Sequence, residues 1–329
     1  VSRGLGDVYK RQPIMIDQDH VQDAESDLGW LSKFEVAEDV YIPICDRHCW
    51  ELYPQYRKWF DKTLVATESN IKWGYAGTLP ESYPVVLKPI ANLEGMAMDT
   101  YLIKNEKELR EHYRPGSAWF EEIEGPHYSI DVVVEGGHHP KMFLTSEGIP
   151  CDGFRFKYWH CNLQNQQNYE TKFFSLHKHI LHWLEKNVHH DFYGVINFEI
   201  IGDKIIEVQF RMSWQFLSLY GEKIVRNIIK LYEEKKWTKP AFQSFQHPEG
   251  YSVPMWFDGY KKFEIDQEKL DTILREKVHG VSEIHIDYDP KLKKSDYFNP
   301  PKSFRLGFIN CDDLTHGFDI AKQIKECYT

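Results

Sequence analysis

The sequence predicts an α+β protein, and three observations carry that expectation. Short runs of alternating polar and apolar residues recur through the middle of the chain, as half-buried antiparallel strands require. Amphipathic stretches interrupt them, with apolar residues spaced for one helix face, as in Leu176, Ile180 and Leu184. A hydrophobic fraction of 42% with 15% aromatics, over 329 residues, supplies core for two or three packed units.

Taken in order, residues 1–12 show neither helical nor strand periodicity and resemble a translated sequencing-adapter string. They are set aside as non-native, and the gene is expected to be cut at its 5′ end. Residues 13–54 read as the remnant of an N-terminal parallel α/β unit. Pro13 to Ile16 ends a strand, Ala24 to Phe34 suits a helix, Asp39 to Cys45 a buried strand, and Cys49 to Leu64 a second helix. Residues 55–238 form the expected core. Strands are predicted at 83–89, 100–103, 119–123, 127–134 and 141–145, with a short helix from Asn105 to His112 capped by Asn105. Longer helices follow at 171–187 and 221–236. Residues 239–329 form a C-terminal α+β segment. It holds strands at 251–257, 281–287 and 303–309, a helix at 267–278, and a last helix from Leu314 to Cys327 capped by Asp312 and Asp313.

The stretch from Gly194 to Arg211 reads as two strands joined by a turn at Gly202-Asp203-Lys204. Pairing Glu199 with Glu207 sets Asn197 opposite Gln209. Asn197, Glu199, Glu207, Gln209 and Arg211 then share one face, and Phe198, Ile200, Ile206 and Val208 the other. A slip of one residue would mix the faces, so the pattern selects its own register. Two facing carboxylates repel, and Mg²⁺ with a phosphate-bearing substrate is the natural group to sit between them. Upstream, Lys88 ends an apolar strand before a loop from Ile90 to Asp99, placed to reach nucleotide phosphates. Phe120-Glu-Glu-Ile-Glu-Gly-Pro126 joins two strands as an edge able to read an adenine and bind ribose hydroxyls.

In order and spacing these pieces resemble the ATP-grasp superfamily of carboxylate–amine ligases, from about Tyr56 to Lys236. "YPVVLKP" resembles the strand bearing the nucleotide lysine, and "FEEIEGPHYSIDVVVEGG" the hinge and the strand after it. "YGVINFEIIGDKIIEVQFRMS" resembles the paired metal-binding strands, and "YGEKIVRNIIKLYEEKKW" the helix that follows. The resemblance implies two α+β subdomains clasping a nucleotide, with ATP and Mg²⁺ (or Mn²⁺) as cofactors. Lys88 would contact the phosphates, Glu121 and Ile123 would line the adenine hinge, and Glu124 would face the ribose. Glu199, Glu207 and Gln209 would hold the metal, and Arg211 would stabilise the transferred phosphoryl group. Lys58 and Lys62 both qualify as the first phosphate lysine. A small-molecule carboxylate would be activated as an acyl phosphate and captured by an amine, releasing ADP. A nucleotide-binding module without ligase activity and a biotin-carboxylase-like activation of bicarbonate are the other two readings.

This sequence departs from the family pattern in three places. The phosphate loop, Ala91 to Met98, holds a single glycine, Gly95; Gln209 stands where an asparagine is usual; His127 stands where a glutamate is frequent. "SFRLGFINCDDLTHGFDIAKQIKE" resembles, more weakly, the closing segment of biotin-carboxylase-like and carbamoyl-phosphate-synthase-like members, and Arg305 within it reads as structural, with an active-site place as the alternative.

The net charge of −10 argues against a nucleic-acid surface. No apolar run is long enough to span a membrane. Six scattered cysteines suit reduced thiols in a cytoplasmic protein, and a homodimer is the assembly expected. His177, His179 and His182, and the pairs His138-His139 and His189-His190, lack metal-site spacing and read as solvated. The run Phe154 to His160 fits either a pocket wall or packing.

Overall fold

A computed structural model describes residues 33–37, 39–137, 139–162, 173–238, 249–276 and 279–329. The adapter-like segment, the strand at 13–16, most of the helix expected at 24–34, and His138 lie outside the described residues.

Four strands, β1 (Trp73–Tyr75), β2 (Val85–Pro89), β3 (Tyr101–Ile103) and β4 (Ser117–Glu121), form an antiparallel sheet in the order β1-β4-β2-β3. The other strands are β5 (His127–Glu135), β6 (Pro140–Pro150), β7 (Phe156–Asn162), β8 (Tyr193–Ile201), β9 (Lys204–Gln209), β10 (Glu249–Phe257), β11 (Val281–Ile286) and β12 (Phe304–Cys311). They make an eight-stranded antiparallel sheet in the order β11-β12-β10-β7-β6-β5-β8-β9. The segment expected from residue 239 onward continues that sheet, because β10 pairs with β7. The helices are α1 (Asp46–Leu52), α2 (Lys62–Glu68), α3 (Glu106–His112), α4 (Phe174–Asn187), α5 (Leu217–Tyr220), α6 (Glu222–Glu234), α7 (Gln267–Arg275) and α8 (Leu314–Lys325). Among the described residues no helix is long and apolar enough to cross a membrane.

The period of two along β5 divides the large sheet into two faces. Ile130, Val132 and Val134 point to the back, where α4 covers them with Leu176, Ile180, Trp183 and Leu184. On the front, Val133 and Val195 meet the apolar stripe of α6, Ile224, Val225, Ile228 and Ile229. The same front face carries His127 and Ser129 toward the start of β5, and there it is left open. In the small sheet Val85 and Leu87 pack with Leu109 of α3, so the alternation turns Val86 and Lys88 toward the large sheet. Of the caps read from the sequence, Asn105 accepts from Glu108 N and Asp313 from His316 N; Asp312 stands one residue before the cap.

Several expectations are corrected. Residues 40–44 have no strand partner among the described residues, although Ile42 and Ile44 are buried. The single helix expected at 49–64 is three pieces. Pro54 cannot supply an interior helix donor and opens a 3₁₀ turn, Pro54–Phe60. Asp61 then accepts from Thr63 N at 2.8 Å and starts α2 afresh. Strands β1 and β7 were not anticipated, and β7 includes most of the aromatic–basic run. A bulge between Glu199 and Ile200 puts Ile205, not Ile206, with Phe198, Ile200 and Val208 in the core.

His177 is not a solvated histidine. Its ring stacks on Phe143 at 4.1 Å, and burial pushes its pKa down to about 4. The unfolded chain takes up that proton near pH 6.5, so this group's contribution is lost as pH falls from about 6.5 to 4. Replacing His177 with Gln should flatten the decline in urea midpoint over that window; an unchanged slope would contradict the buried neutral ring.

Candidate active site

A cavity of about 730 Å³ lies between the small sheet and the open front face of the large one. The hairpin pairs as its pattern requires, Asn197 with Gln209 and Glu199 with Glu207. Glu199, Glu207, Gln209 and Arg211 line the cavity, while Asn197 is buried behind them.

Each of the two facing carboxylates is met by a nitrogen-bearing side chain from a different element. His127 Nε2 lies 2.7 Å from Glu199 Oε2, and Lys62 Nζ lies 3.0 Å from Glu207 Oε1. Burial would raise the Glu207 carboxyl, but Lys62, Lys88 and Gln209 hold it below the usual range. Lys62 is itself buried and lines the cavity, because its backbone N–H donates to Ile90 O at 2.8 Å and fixes the start of α2 against the loop after β2. Lys58, by contrast, is exposed, with its Nζ over the Trp59 ring at 4.7 Å and outside the cavity wall. Of the two candidate lysines only Lys62 reaches the site. Lys88 projects into the cavity above the Phe120 ring, 4.6 Å from its centroid, and has no ion-pair partner among the described residues. Burial, with Lys62 nearby, pushes its ammonium down to about 8. An anion arriving here would offset that burial and hold the ammonium charged.

At the hinge, Glu121 and Ile123 line the cavity, together with Glu122. The Glu121 carboxylate accepts from Lys72 N at 2.9 Å. Glu124, expected to face a ribose, is not on the cavity wall. The reason is a backbone clasp between hinge and hairpin turn. Gly125 has φ +133°, and a Cβ there would lie 2.7 Å from Gly202 Cα, while Gly202 N donates to Pro126 O at 2.9 Å. Ile206, displaced by the bulge, forms part of the cavity wall with Ile201.

Arg211 is held from behind. Its Nε donates to Asp46 Oδ1 at 2.7 Å and its Nη2 to Asp46 Oδ2 at 3.3 Å. Burial opposes the guanidinium charge, but Asp46 more than offsets this and pushes its pKa up. Removing one partner of such a pair costs about 3–5 kcal/mol. Beside it, Asp131 accepts from Asn197 Nδ2 at 2.8 Å, Ser213 N at 2.9 Å and Tyr220 Oη at 2.9 Å. These bonds fix the segment after β9 even though burial pushes Asp131 up to about 6. Neither Asp46 nor the pairing of His127 was anticipated. Both depend on contacts 165 and 72 residues apart in sequence.

Arg305 lines the same cavity beyond Lys62 and Lys88, bonded to Asp287 through Nε at 2.7 Å and Nη2 at 3.3 Å, and to Gln215 Oε1 at 3.3 Å. It is both structural and on the wall.

Among the described residues no group of three or more His, Cys, Asp or Glu is arranged to hold a metal by itself. Two carboxylates and an amide are nevertheless the hard oxygen set that Mg²⁺ uses when phosphates complete its shell. Gln209 Nε2 donates to Glu207 Oε1 at 3.1 Å, which leaves the amide oxygen for a cation.

No family model matches the sequence, and no curated protein matches it. Solved structures do match the fold. An L-amino acid ligase from Bacillus licheniformis is 16% identical, with 93% of this chain and 84% of that one covered at a TM-score of 0.58. The biotin carboxylase domain of a 2-oxoglutarate carboxylase from Hydrogenobacter thermophilus, solved with MgADP and bicarbonate, is 12% identical, covering 94% and 78% at 0.57. An N5-carboxyaminoimidazole ribonucleotide synthetase from Thermotoga maritima is 13% identical, covering 95% and 85% at 0.53. The chain has the ATP-grasp fold.

The glycine-poor loop adopts a glycine-like backbone. Gly95, Met96, Ala97 and Asp99 have φ of +70°, +54°, +50° and +53°. A non-glycine residue there costs about 1–2 kcal/mol, against about 0.5–1 kcal/mol of chain entropy when glycine replaces it. The Ala97→Gly variant should therefore gain about 0.5–1 kcal/mol by urea unfolding; a loss would contradict the left-handed loop.

Proposed function

We propose that this cavity is the active site of an ATP- and Mg²⁺-dependent ligase that activates a small-molecule carboxylate as an acyl phosphate and transfers the acyl group to an amine. The observation that carries the proposal is the half-buried Lys88 ammonium, without an ion-pair partner among the described residues, beside two facing carboxylates at one end of the cavity. Such a site asks for an anion and a cation together, as a nucleotide phosphate with its metal supplies.

In this reading the adenine lies by Ile123, Ile201 and Ile206, and Lys62 and Lys88 bind phosphate oxygens. Glu199, Glu207 and Gln209 would hold Mg²⁺ in place of the contacts that His127 and Lys62 make with the two carboxylates. The bound metal supplies charge neutralisation and in-line placement of the phosphates. A substrate carboxylate oxygen attacks the γ-phosphorus, the bond to the β–γ bridging oxygen breaks, and ADP leaves. Arg211, held in place by Asp46, faces the transferred phosphoryl group and offsets the charge on its oxygens. The amine nitrogen then attacks the acyl carbon and loses a proton as the carbon–oxygen bond to phosphate breaks. No protein nucleophile is required; positioning and charge do the work.

Acid-stimulated ADP release should fall on the order of 10²- to 10³-fold in Glu207→Gln, the size of loss expected when several kcal/mol of charge stabilisation is removed. Undiminished release would overturn the metal role. Saturable ATP binding with no acid-stimulated release would favour a nucleotide-binding module.

A further inference from the structure

Beyond the phosphate end, the cavity runs across the front of the large sheet to β7, β10 and β12, and its wall changes character. Phe154, Phe156, Trp159, Trp214, Trp256 and Tyr297 line it. Trp256 is fixed in place, its Nε1 donating to Phe156 O at 2.9 Å. The Phe156 and Trp159 rings lie 4.2 Å apart, centroid to centroid, and both stand against His127, so the aromatic wall begins where the carboxylates end.

The charges along this wall cancel locally. Arg305 is bonded through two nitrogens to Asp287, and its guanidinium lies 5.8 Å from the Trp214 ring centroid and 5.7 Å from that of Phe308. Burial would raise the Asp287 carboxyl, but Arg305 and His285 hold it down at about 2, so it stays ionised and cancels the arginine. Arg155 is paired with Asp258 at 3.0 Å and faces Asp152 at 3.7 Å. Among the described residues, no lysine or arginine on this part of the wall lacks a carboxylate. Lys88, whose ammonium has no ion-pair partner among the described residues, stands at the nucleotide end of this reading.

We infer that the acid activated here has an aromatic or bulky branched apolar body and carries no phosphate group. A phosphate monoester brings about −1.5 to −2 charge at neutral pH. To bury it against a wall whose cations are already neutralised would forfeit its hydration without return. Ring faces instead gain by covering apolar surface. Bicarbonate would leave most of that wall uncovered. The inference rests on the ligase reading and narrows its substrate class.

The test measures ADP release from MgATP with hydroxylamine as the capturing amine. The acids offered are 3-phenylpropionate, phenylalanine and leucine, against acetate, bicarbonate and O-phosphoserine. The MgATP-induced rise in melting temperature is measured alongside. At least one apolar acid should stimulate release about tenfold or more above O-phosphoserine and bicarbonate, and Trp256→Ala should raise its KM about tenfold. Preference for O-phosphoserine, acetate or bicarbonate, or an acid KM unmoved in Trp256→Ala, overturns the inference. A thermal shift with MgATP but no stimulation by any apolar acid overturns it too, and leaves nucleotide binding standing. Absence of any shift removes the ligase reading, and the inference with it.

Discussion

Glu199 and Glu207 stand opposite one another across β8 and β9, close enough that their repulsion must be offset by something else in the fold. The offset is assembled from two other elements. His127 comes from β5, the neighbouring strand of the same sheet, and Lys62 from the first residue of α2. That single electrostatic requirement ties the hairpin to its sheet, to the helix preceding the small sheet, and to the loop that Lys62 N–H holds. A ligand that competes for the two carboxylates therefore acts on β5 and on the start of α2 at once.

Packing enforces the same geometry. Phe210, between Gln209 and Arg211, is fully buried and stacks on Tyr56 at 4.3 Å with rings nearly parallel. Removing a buried aromatic of this kind costs about 3–5 kcal/mol. The Gly125–Gly202 contact sets the hinge on the hairpin turn, and Asp131 anchors the chain beyond Arg211. The charged cavity-lining side chains therefore sit on strands and helix starts whose positions are over-determined. The left-handed loop at 95–99 is the exception: it is strained rather than anchored by a core.

Much of this was legible in the sequence because strand alternation has a period of two. The hairpin register followed from which pairing kept polar residues together, and Lys88 stood out because it ends an apolar strand just before a loop. What escaped the sequence had physical reasons. A bulge adds one residue without changing composition, so Ile206 read as core although it walls the cavity. Strand β1 is three residues long, too short for alternation to register. Strand β7 reads as a strand and a pocket wall at once, its aromatic residues serving both the sheet and the cavity. Lys58 and Lys62 were indistinguishable until Pro54 and Asp61 fixed where the helices break. The Asp46–Arg211 and His127–Glu199 pairs join distant segments, which no local pattern reports.

The central claim is that the facing carboxylates bind a divalent cation together with a nucleotide. Calorimetric titration of ADP, with and without Mg²⁺, tests it most directly. In the native protein Mg²⁺ should tighten ADP binding about tenfold or more, and in Glu199→Gln that gain should vanish while metal-free ADP binding persists. Equal ADP affinity with and without Mg²⁺ in the native protein would contradict the claim.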